Sequence, residues 1–223
     1  MRESGLKVCS YGETDNPDYT IALVGGSHSG HWFPAIEQFA KDLKLQIDVY
    51  NKDACRFSTS DFNGLLSDTC IEWNSLVIEP LLENPPDLIF TPATIGNGAN
   101  VPRGYIEMWE KFEGITTIFA IRDTPRMEEN IPLCVELNGP EYCNVPRTAG
   151  LAEVPPWEVT NGIPENVYFA DLSKYFCDEE TCYSVIGNVL VYRDSHHISN
   201  LYSMTLAEPL KEEIIKSLKL LEE

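Results

Sequence analysis

The sequence predicts an α/β domain built on a central, mostly parallel sheet of about five strands. Three observations carry that expectation. Short apolar runs at 19–24, 45–50, 87–90, 116–121 and 166–170 alternate with stretches whose apolar residues recur at helical spacing. The stretch Leu23-Val24-Gly25-Gly26-Ser27-His28-Ser29-Gly30-His31-Trp32 joins the first run to an amphipathic one carrying Phe33, Ile36, Phe39, Ala40 and Leu43, so it reads as strand, tight turn, helix. Near the other terminus, Tyr192-Arg193-Asp194-Ser195-His196-His197-Ile198-Ser199 follows the apolar run 189–191 and precedes a helical pattern, which makes it a second strand-end loop.

Residues 1–18 are polar and turn-rich, with Asn16-Pro17-Asp18 as the loop before the first strand. They are expected to be a linker or extension ahead of a single domain at 19–223, and the opening Met1-Arg2-Glu3-Ser4 reads as the start of an excised fragment. The alternating run 45–50 is a second strand, delivering residues 51–55 to the same sheet edge as Ser27. A helical pattern around Trp73, Leu76, Val77, Ile78, Leu81 and Leu82 ends at Pro85-Pro86, before a third strand that runs into Thr91-Pro92-Ala93-Thr94-Ile95-Gly96-Asn97-Gly98. A helix over 105–113 presents Met108, Trp109 and Phe112 on one face and leads to the fourth strand, followed by Arg122-Asp123-Thr124-Pro125-Arg126. Those charges suit binding of a polar acceptor, or a mutual salt bridge closing the loop.

Residues 127–164 are rich in proline and glycine and too long for an ordinary connector, so they read as a lid or as a disulfide-braced surface loop. After the fifth strand, Gly187-Asn188 is compatible with a hairpin turn. Beyond Ser199, the residues Leu201, Leu206, Leu210, Ile214, Leu218 and Leu221 form an apolar stripe with Pro209 as an early break or kink.

Composition excludes several classes of function. The 43% hydrophobic and 10% aromatic content of the 223 residues fits a globular protein with a full core. With 16 basic against 35 acidic residues, the net charge of -19 argues against nucleic acid or an anionic membrane as a partner. No apolar stretch reaches the length of a membrane span, and the N-terminus lacks a signal-peptide pattern. Seven cysteines favour an oxidising compartment. The sequence-near pairs Cys55/Cys70, Cys134/Cys143 and Cys177/Cys182 would close three loops and leave Cys9 without its partner; buried free thiols are the alternative. No Cys-x-x-Cys pair occurs, and the carboxylates at 178–180 lack a calcium-ligand spacing, so neither metal nor cofactor is expected.

The chemistry concentrates in two places. Ser27 stands where unpartnered helix amides would stabilise an oxyanion, and it is either a nucleophile or a helix N-cap. Asp194 and His197 are three apart, close enough for the carboxylate to orient the imidazole. Meeting at one edge of a parallel sheet, the three would supply nucleophile, base and orienter. His196 is a second candidate base, whereas His28 and His31 read as helix-start contacts.

Gly25-Gly26-Ser27-His28 with Trp32, Lys52-Asp53-Ala54-Cys55, Ile121-Arg122-Asp123-Thr124-Pro125-Arg126, and Tyr192-Arg193-Asp194 with His197 together resemble the SGNH (GDSL-type) hydrolases. Within them, the likeness is to the extracytoplasmic domains fused to membrane-bound acyltransferase-3 proteins that O-acylate cell-envelope glycans. The resemblance covers roughly residues 9–210 and implies a three-layer α/β/α, flavodoxin-like fold. It implies transfer of an acetyl or other short acyl group from an N-terminal membrane domain, through an ester on Ser27, to a hydroxyl of an envelope glycan or glycolipid. Trehalose mycolates, peptidoglycan and surface polysaccharides are the possible acceptors.

The family's oxyanion donors are a glycine after the second strand and a Gly-x-Asn after the third. Here Asp53 or Ala54 would have to supply the first amide, Asn97 or Thr94 stands in for the second donor unless Asn97 only structures its loop, and Gly26 replaces the aspartate that usually braces the turn. Two other readings remain: an extracellular carbohydrate esterase using the same three residues, and a non-catalytic glycan-binding or docking module.

Overall fold

Along β2 (Tyr19–Gly25) the side chains alternate between two cores. Ile21 and Leu23 enter one, while Ala22 and Val24 enter the other, because successive strand residues point to opposite faces. The structure is a computed structural model that describes residues 6–59 and 66–219.

The central sheet has six strands. In chain order they are β1 (Cys9–Gly12), β2, β3 (Leu45–Asn51), β4 (Leu88–Pro92), β5 (Thr117–Ile121) and β6 (Val167–Ala170), arranged β1-β3-β2-β4-β5-β6. The last five are parallel, and every residue of β4 and β5 is buried, as befits strands covered on both faces. Relative to the expected five strands, the addition is β1. It lies inside the polar stretch read as an extension and pairs antiparallel with β3, from Cys9 opposite Val49 to Gly12 opposite Gln46. All four of its residues are exposed, so no apolar alternation marks it in the sequence.

Helices form the outer layers. The serine-bearing turn opens α1 (Ser27–Gly30), and after a break at His31-Trp32 the chain continues as α2 (Phe33–Ala40), with Pro34 in the first turn where its missing N–H costs nothing. On the other face lie α3 (Asp68–Glu83) and α4 (Arg103–Glu110). Ser67 caps α3 by accepting a hydrogen bond from the Cys70 amide at 3.2 Å. Next comes α5 (Ile131–Asn138), and the chain closes with α6 (Asn200–Thr205) and α7 (Ala207–Lys219), which join α2 on the first face. Trp32, Ile36, Phe39, Leu210 and Ile214 there meet Ile21, Leu23, Phe90 and Phe119 from the sheet. Opposite, Val77, Leu81, Trp109 and Phe112 cover Ala22, Val24, Ile89 and Ile118.

The terminal pattern breaks at Leu206 and not at Pro209. Pro209 sits in the first turn of α7, where proline is tolerated. Leu201 faces solvent at 67% exposure, outside the stripe, and Leu221 lies outside the described residues. Short strands Val185–Ile186 and Val189–Leu190 pair across Gly187 and Asn188, whose φ values of 58° and 64° are those of a tight hairpin turn. Cys55–Cys70, Cys134–Cys143 and Cys177–Cys182 are disulfide-bonded, and Cys9 is free and exposed. The excursion 127–164 holds α5, a 3-10 turn (Glu141–Cys143) and two single-turn helices.

Candidate active site

In the parallel part of the sheet the order reverses between β2 and β4, and an α/β sheet opens a crevice beyond the carboxyl ends of strands at such a point. Ser27 follows β2 there. The turn that carries it is held by backbone and side chains together. Asn51 Nδ2 donates to the Gly26 carbonyl at 2.7 Å, the Lys52 amide donates to the Gly25 carbonyl at 3.0 Å, and Ser29 Oγ donates to the Val24 carbonyl at 2.7 Å. These bonds do the bracing that an aspartate at position 26 would do. A Cβ on Gly26 would lie 2.7 Å from the Cys55 carbonyl oxygen, so only glycine fits.

The loop from the far end of the chain reaches the same crevice. Ser27 Oγ lies 2.7 Å from His197 Nε2, and His197 Nδ1 lies 2.6 Å from Asp194 Oδ2. The other Asp194 oxygen accepts the amides of His196 and His197 at 2.8 Å each, so one carboxylate fixes both the loop and the ring. With Nδ1–H donated to Asp194, Nε2 presents its lone pair to the serine hydroxyl. Burial holds the His197 pKa below its ordinary value despite the Asp194 hydrogen bond, leaving the ring neutral and basic at pH 7. Burial also pushes the Asp194 carboxyl upward, but the two amides and the His197 ring outweigh it and keep it ionised.

A second line of polar contacts runs beside the first. Asp123, buried at the end of β5, accepts His28 Nδ1–H at 2.6 Å, the Gly96 amide at 2.5 Å and the Thr124 amide at 2.9 Å. His28 Nε2 in turn lies 3.0 Å from His196 Nδ1. Burial would raise the Asp123 pKa, yet the His28 contact, Arg126 and the Gly96 amide hold it well below the usual carboxylate range. The His196 ring is pushed down to about 4, chiefly by burial and then by His197. His31 is buried with neither ring nitrogen bonded, and burial holds it strongly neutral. All four histidines of the chain thus gather around Ser27, and one ring nitrogen from each of His28, His196 and His197 lies within 4.8 Å of the others.

Ser27, His28, His196, His197 and Asp123 border a cavity of about 470 Å³ that is also lined by Gly26, Ala54, Phe57, Thr94, Tyr105 and Arg126. Ala54 has φ +57°, a conformation that favours glycine, so alanine here keeps the backbone shape a glycine would give. Ala54 and Ser27 both line this cavity. Thr94 Oγ1 accepts the Asp123 amide at 3.1 Å and so positions that carboxylate. Asn97 is directed elsewhere, donating to the Ala149 carbonyl at 3.0 Å. Arg122 turns into the interior, where it pairs with Asp171 at 2.9 Å and donates to the Ala152 carbonyl. Neither a mutual Arg122–Asp123 bridge nor a cavity-facing Arg122 is present among the described residues; Asp123 and Arg126 line the cavity instead. The tie of His28 to Asp123 has no local signal in the sequence, because the partners lie far apart along the chain.

A family model described as "SGNH domain (fused to AT3 domains)" matches residues 2–212. Among solved structures, the chain is similar to the lipopolysaccharide acetyltransferase periplasmic domain of Salmonella ser. Paratyphi A. The two share 16% identity over 91% of this chain and 85% of that chain, with a TM-score of 0.61, a likeness of fold. No curated protein sequence matches this chain.

Proposed function

The chain belongs to the family of SGNH domains fused to AT3 domains, and from that premise we propose that it is the extracytoplasmic acyl-transferring domain of a bacterial cell-envelope O-acyltransferase. It passes an acyl group, in the first instance acetyl, through an ester on Ser27 to a hydroxyl of a glycan or glycolipid. The observation that carries this reading is the unbroken contact from Asp194 through His197 to Ser27 at the cavity mouth.

The steps follow from that geometry. Ser27 Oγ bonds to the acyl carbon while its proton passes to His197 Nε2, and the developing oxyanion is met by the backbone amides at Ser27 and Ala54. His197 returns the proton to the donor's leaving group, which departs from an acyl-serine. An acceptor hydroxyl then attacks that ester, giving its proton to His197, and Ser27 leaves with the proton handed back. Asp194 holds the ring in the required tautomer and offsets its charge when protonated. The donor is delivered by the membrane acyltransferase domain, and the acceptor sugar enters through the cavity. Trehalose mycolates, peptidoglycan and surface polysaccharides all offer such a hydroxyl. The Salmonella domain of similar fold belongs to a lipopolysaccharide acetyltransferase by its description, which favours acetyl and a saccharide. The Asp194 side chain is 34% exposed, so water reaches the edge of the site and competes with the sugar in an isolated domain.

The test is mass spectrometry of the chain after exposure to p-nitrophenyl acetate, with and without a sugar acceptor. An acetyl adduct on Ser27, discharged faster by sugar with formation of acetylated product, is expected. Release of acetate alone, indifferent to sugar, would make the domain an esterase. Absence of both adduct and turnover would make it a docking module.

A further inference from the structure

We propose that His28, His196 and His197 form a binding site for a borderline divalent cation, with Zn²⁺ as its reference ion, and that the bound ion shuts the Ser27 site reversibly. The site itself stands on geometry alone, whereas its inhibitory effect rests on the catalytic reading above.

Two of the three imidazoles are arranged as metal-binding histidines commonly are. His28 Nδ1 is held by Asp123 at 2.6 Å and His197 Nδ1 by Asp194 at 2.6 Å. A carboxylate on one ring nitrogen fixes the proton there and leaves the other nitrogen as a basic lone pair, the outer-shell arrangement that orients a zinc-bound histidine. Both residues line the same cavity, where His197 Nε2 meets Ser27 Oγ at 2.7 Å and His28 Nε2 meets the third ring. The third ring, His196, brings Nδ1 to 3.0 Å from His28 Nε2.

The spacing suits tetrahedral coordination after a small adjustment. Corners of a tetrahedron with Zn–N bonds of about 2.0–2.1 Å lie roughly 3.3–3.4 Å apart. The His28–His196 contact at 3.0 Å need open by only a few tenths of an ångström. The widest separation in the trio, no more than 4.8 Å, must close by at most about 1.5 Å. Water, or an acceptor hydroxyl, would fill the fourth position. In the neutral trio no proton need leave the protein: His196 moves its proton from Nδ1 to Nε2, and the Ser27 hydroxyl loses its acceptor. A divalent charge also falls between two carboxylates, Asp123 and Asp194, in a domain of net charge -19. The ion takes the lone pair that Ser27 needs, so binding and catalysis exclude each other.

The experiment titrates the chelator-stripped chain with Zn²⁺ by calorimetry and with Co²⁺ by visible absorption. One-to-one binding is expected, with the intense cobalt band of a tetrahedral site containing nitrogen ligands. His196→Gln and His28→Gln should each abolish that band, and Asp123→Asn should weaken affinity about 10–100-fold. Each variant is checked by its thermal melt. Ser27→Ala, which lacks only the hydroxyl, should bind zinc undiminished. In the unmodified chain, Zn²⁺ should stop acetylation of Ser27, and EDTA should restore it. A weak octahedral cobalt spectrum, or zinc binding unaffected by both histidine substitutions, would assign the ion to the acidic surface and overturn the site. Zinc bound as described to a chain that never acylates Ser27 would leave the site standing and remove the catalytic reading instead.

Discussion

His28 and His196 lie stacked, with ring centroids 5.1 Å apart and planes 11° from parallel, although 168 residues separate them in the chain. The contact ties the serine turn to the loop that carries His197. His28 is adjacent to Ser27, His196 is adjacent to His197, and buried Asp123 anchors the pair from beyond the end of β5. Thr124 strengthens the same link by donating from Oγ1 to the His196 carbonyl at 3.0 Å. The short Ser27–His197 contact is therefore braced from the loop that follows β5.

Removing that anchor should damage stability and catalysis together. Asp123→Ala leaves the amides of Gly96 and Thr124 and the His28 ring without their shared acceptor in a buried place. The expected cost is about 3 kcal/mol, read as a lowered urea midpoint. Asp123→Asn keeps the volume and should recover part of the loss. A melt unchanged in Asp123→Ala would show that the link holds nothing in place.

Asp194→Asn should leave the fold nearly intact and nearly abolish turnover. The amide side chain can still accept from the backbone through its oxygen, but its nitrogen would then meet His197 Nδ1 as a donor. The ring is driven to the tautomer with Nε2–H, which offers the serine hydroxyl no acceptor. A fall of about 10³–10⁴ in kcat for p-nitrophenyl acetate is expected, with an unaltered thermal melt. A loss under tenfold would take Asp194 out of the mechanism.

How much of this could be read from the sequence depended on whether the signal was local. The Ser27 turn, the Asp194–His197 pair, the Gly187-Asn188 hairpin and the three disulfides all lie within short spans, where spacing constrains geometry. Strand β1 was illegible because its exposed residues have no apolar face to show. At the end of β5, the parity of the strand decides which neighbour faces the cavity; Arg122 turned inward to Asp171 while Asp123 took the cavity side. Charge alone offers no way to choose between them. The His28–His196 contact was hidden for the plainest reason, since no pattern within a segment reports a pairing across the chain.

The pH dependence of the acylation step should reflect His197. Catalysis needs the neutral ring, so activity falls as pH drops through the pKa of the folded enzyme. Burial holds that pKa below the ordinary 6.5, and the acid limb of kcat/KM should therefore have its midpoint below 6.5. His196, pushed down to about 4, stays neutral over the same range and should add no second limb there. Assays in EDTA, with ester hydrolysis followed from pH 4.5 upward, give the measurement. A midpoint at or above 6.5 would contradict the environment described for the ring.

Restoring the family's usual aspartate at position 26 should harm this protein. A Cβ at Gly26 would meet the Cys55 carbonyl oxygen at 2.7 Å and the Cys55 amide nitrogen at 3.2 Å. Those are backbone atoms of a residue tied by its disulfide to Cys70 at the start of α3, so they have little room to retreat. Moving the turn instead would break the Asn51 and Lys52 hydrogen bonds that hold it and shift Ser27 from His197. Gly26→Asp is expected to cost about 1–3 kcal/mol of stability and to lower turnover at least tenfold. Gly26→Ala should share the defect, because the clash is with Cβ and not with the carboxylate. Gly114→Ala supplies the control: its Cβ meets nothing within 4 Å, so only the strain of φ +70° is felt and turnover should be unchanged. An active, stable Gly26→Asp chain would mean that the loop bearing Ala54 and Cys55 yields more readily than its disulfide and hydrogen bonds suggest.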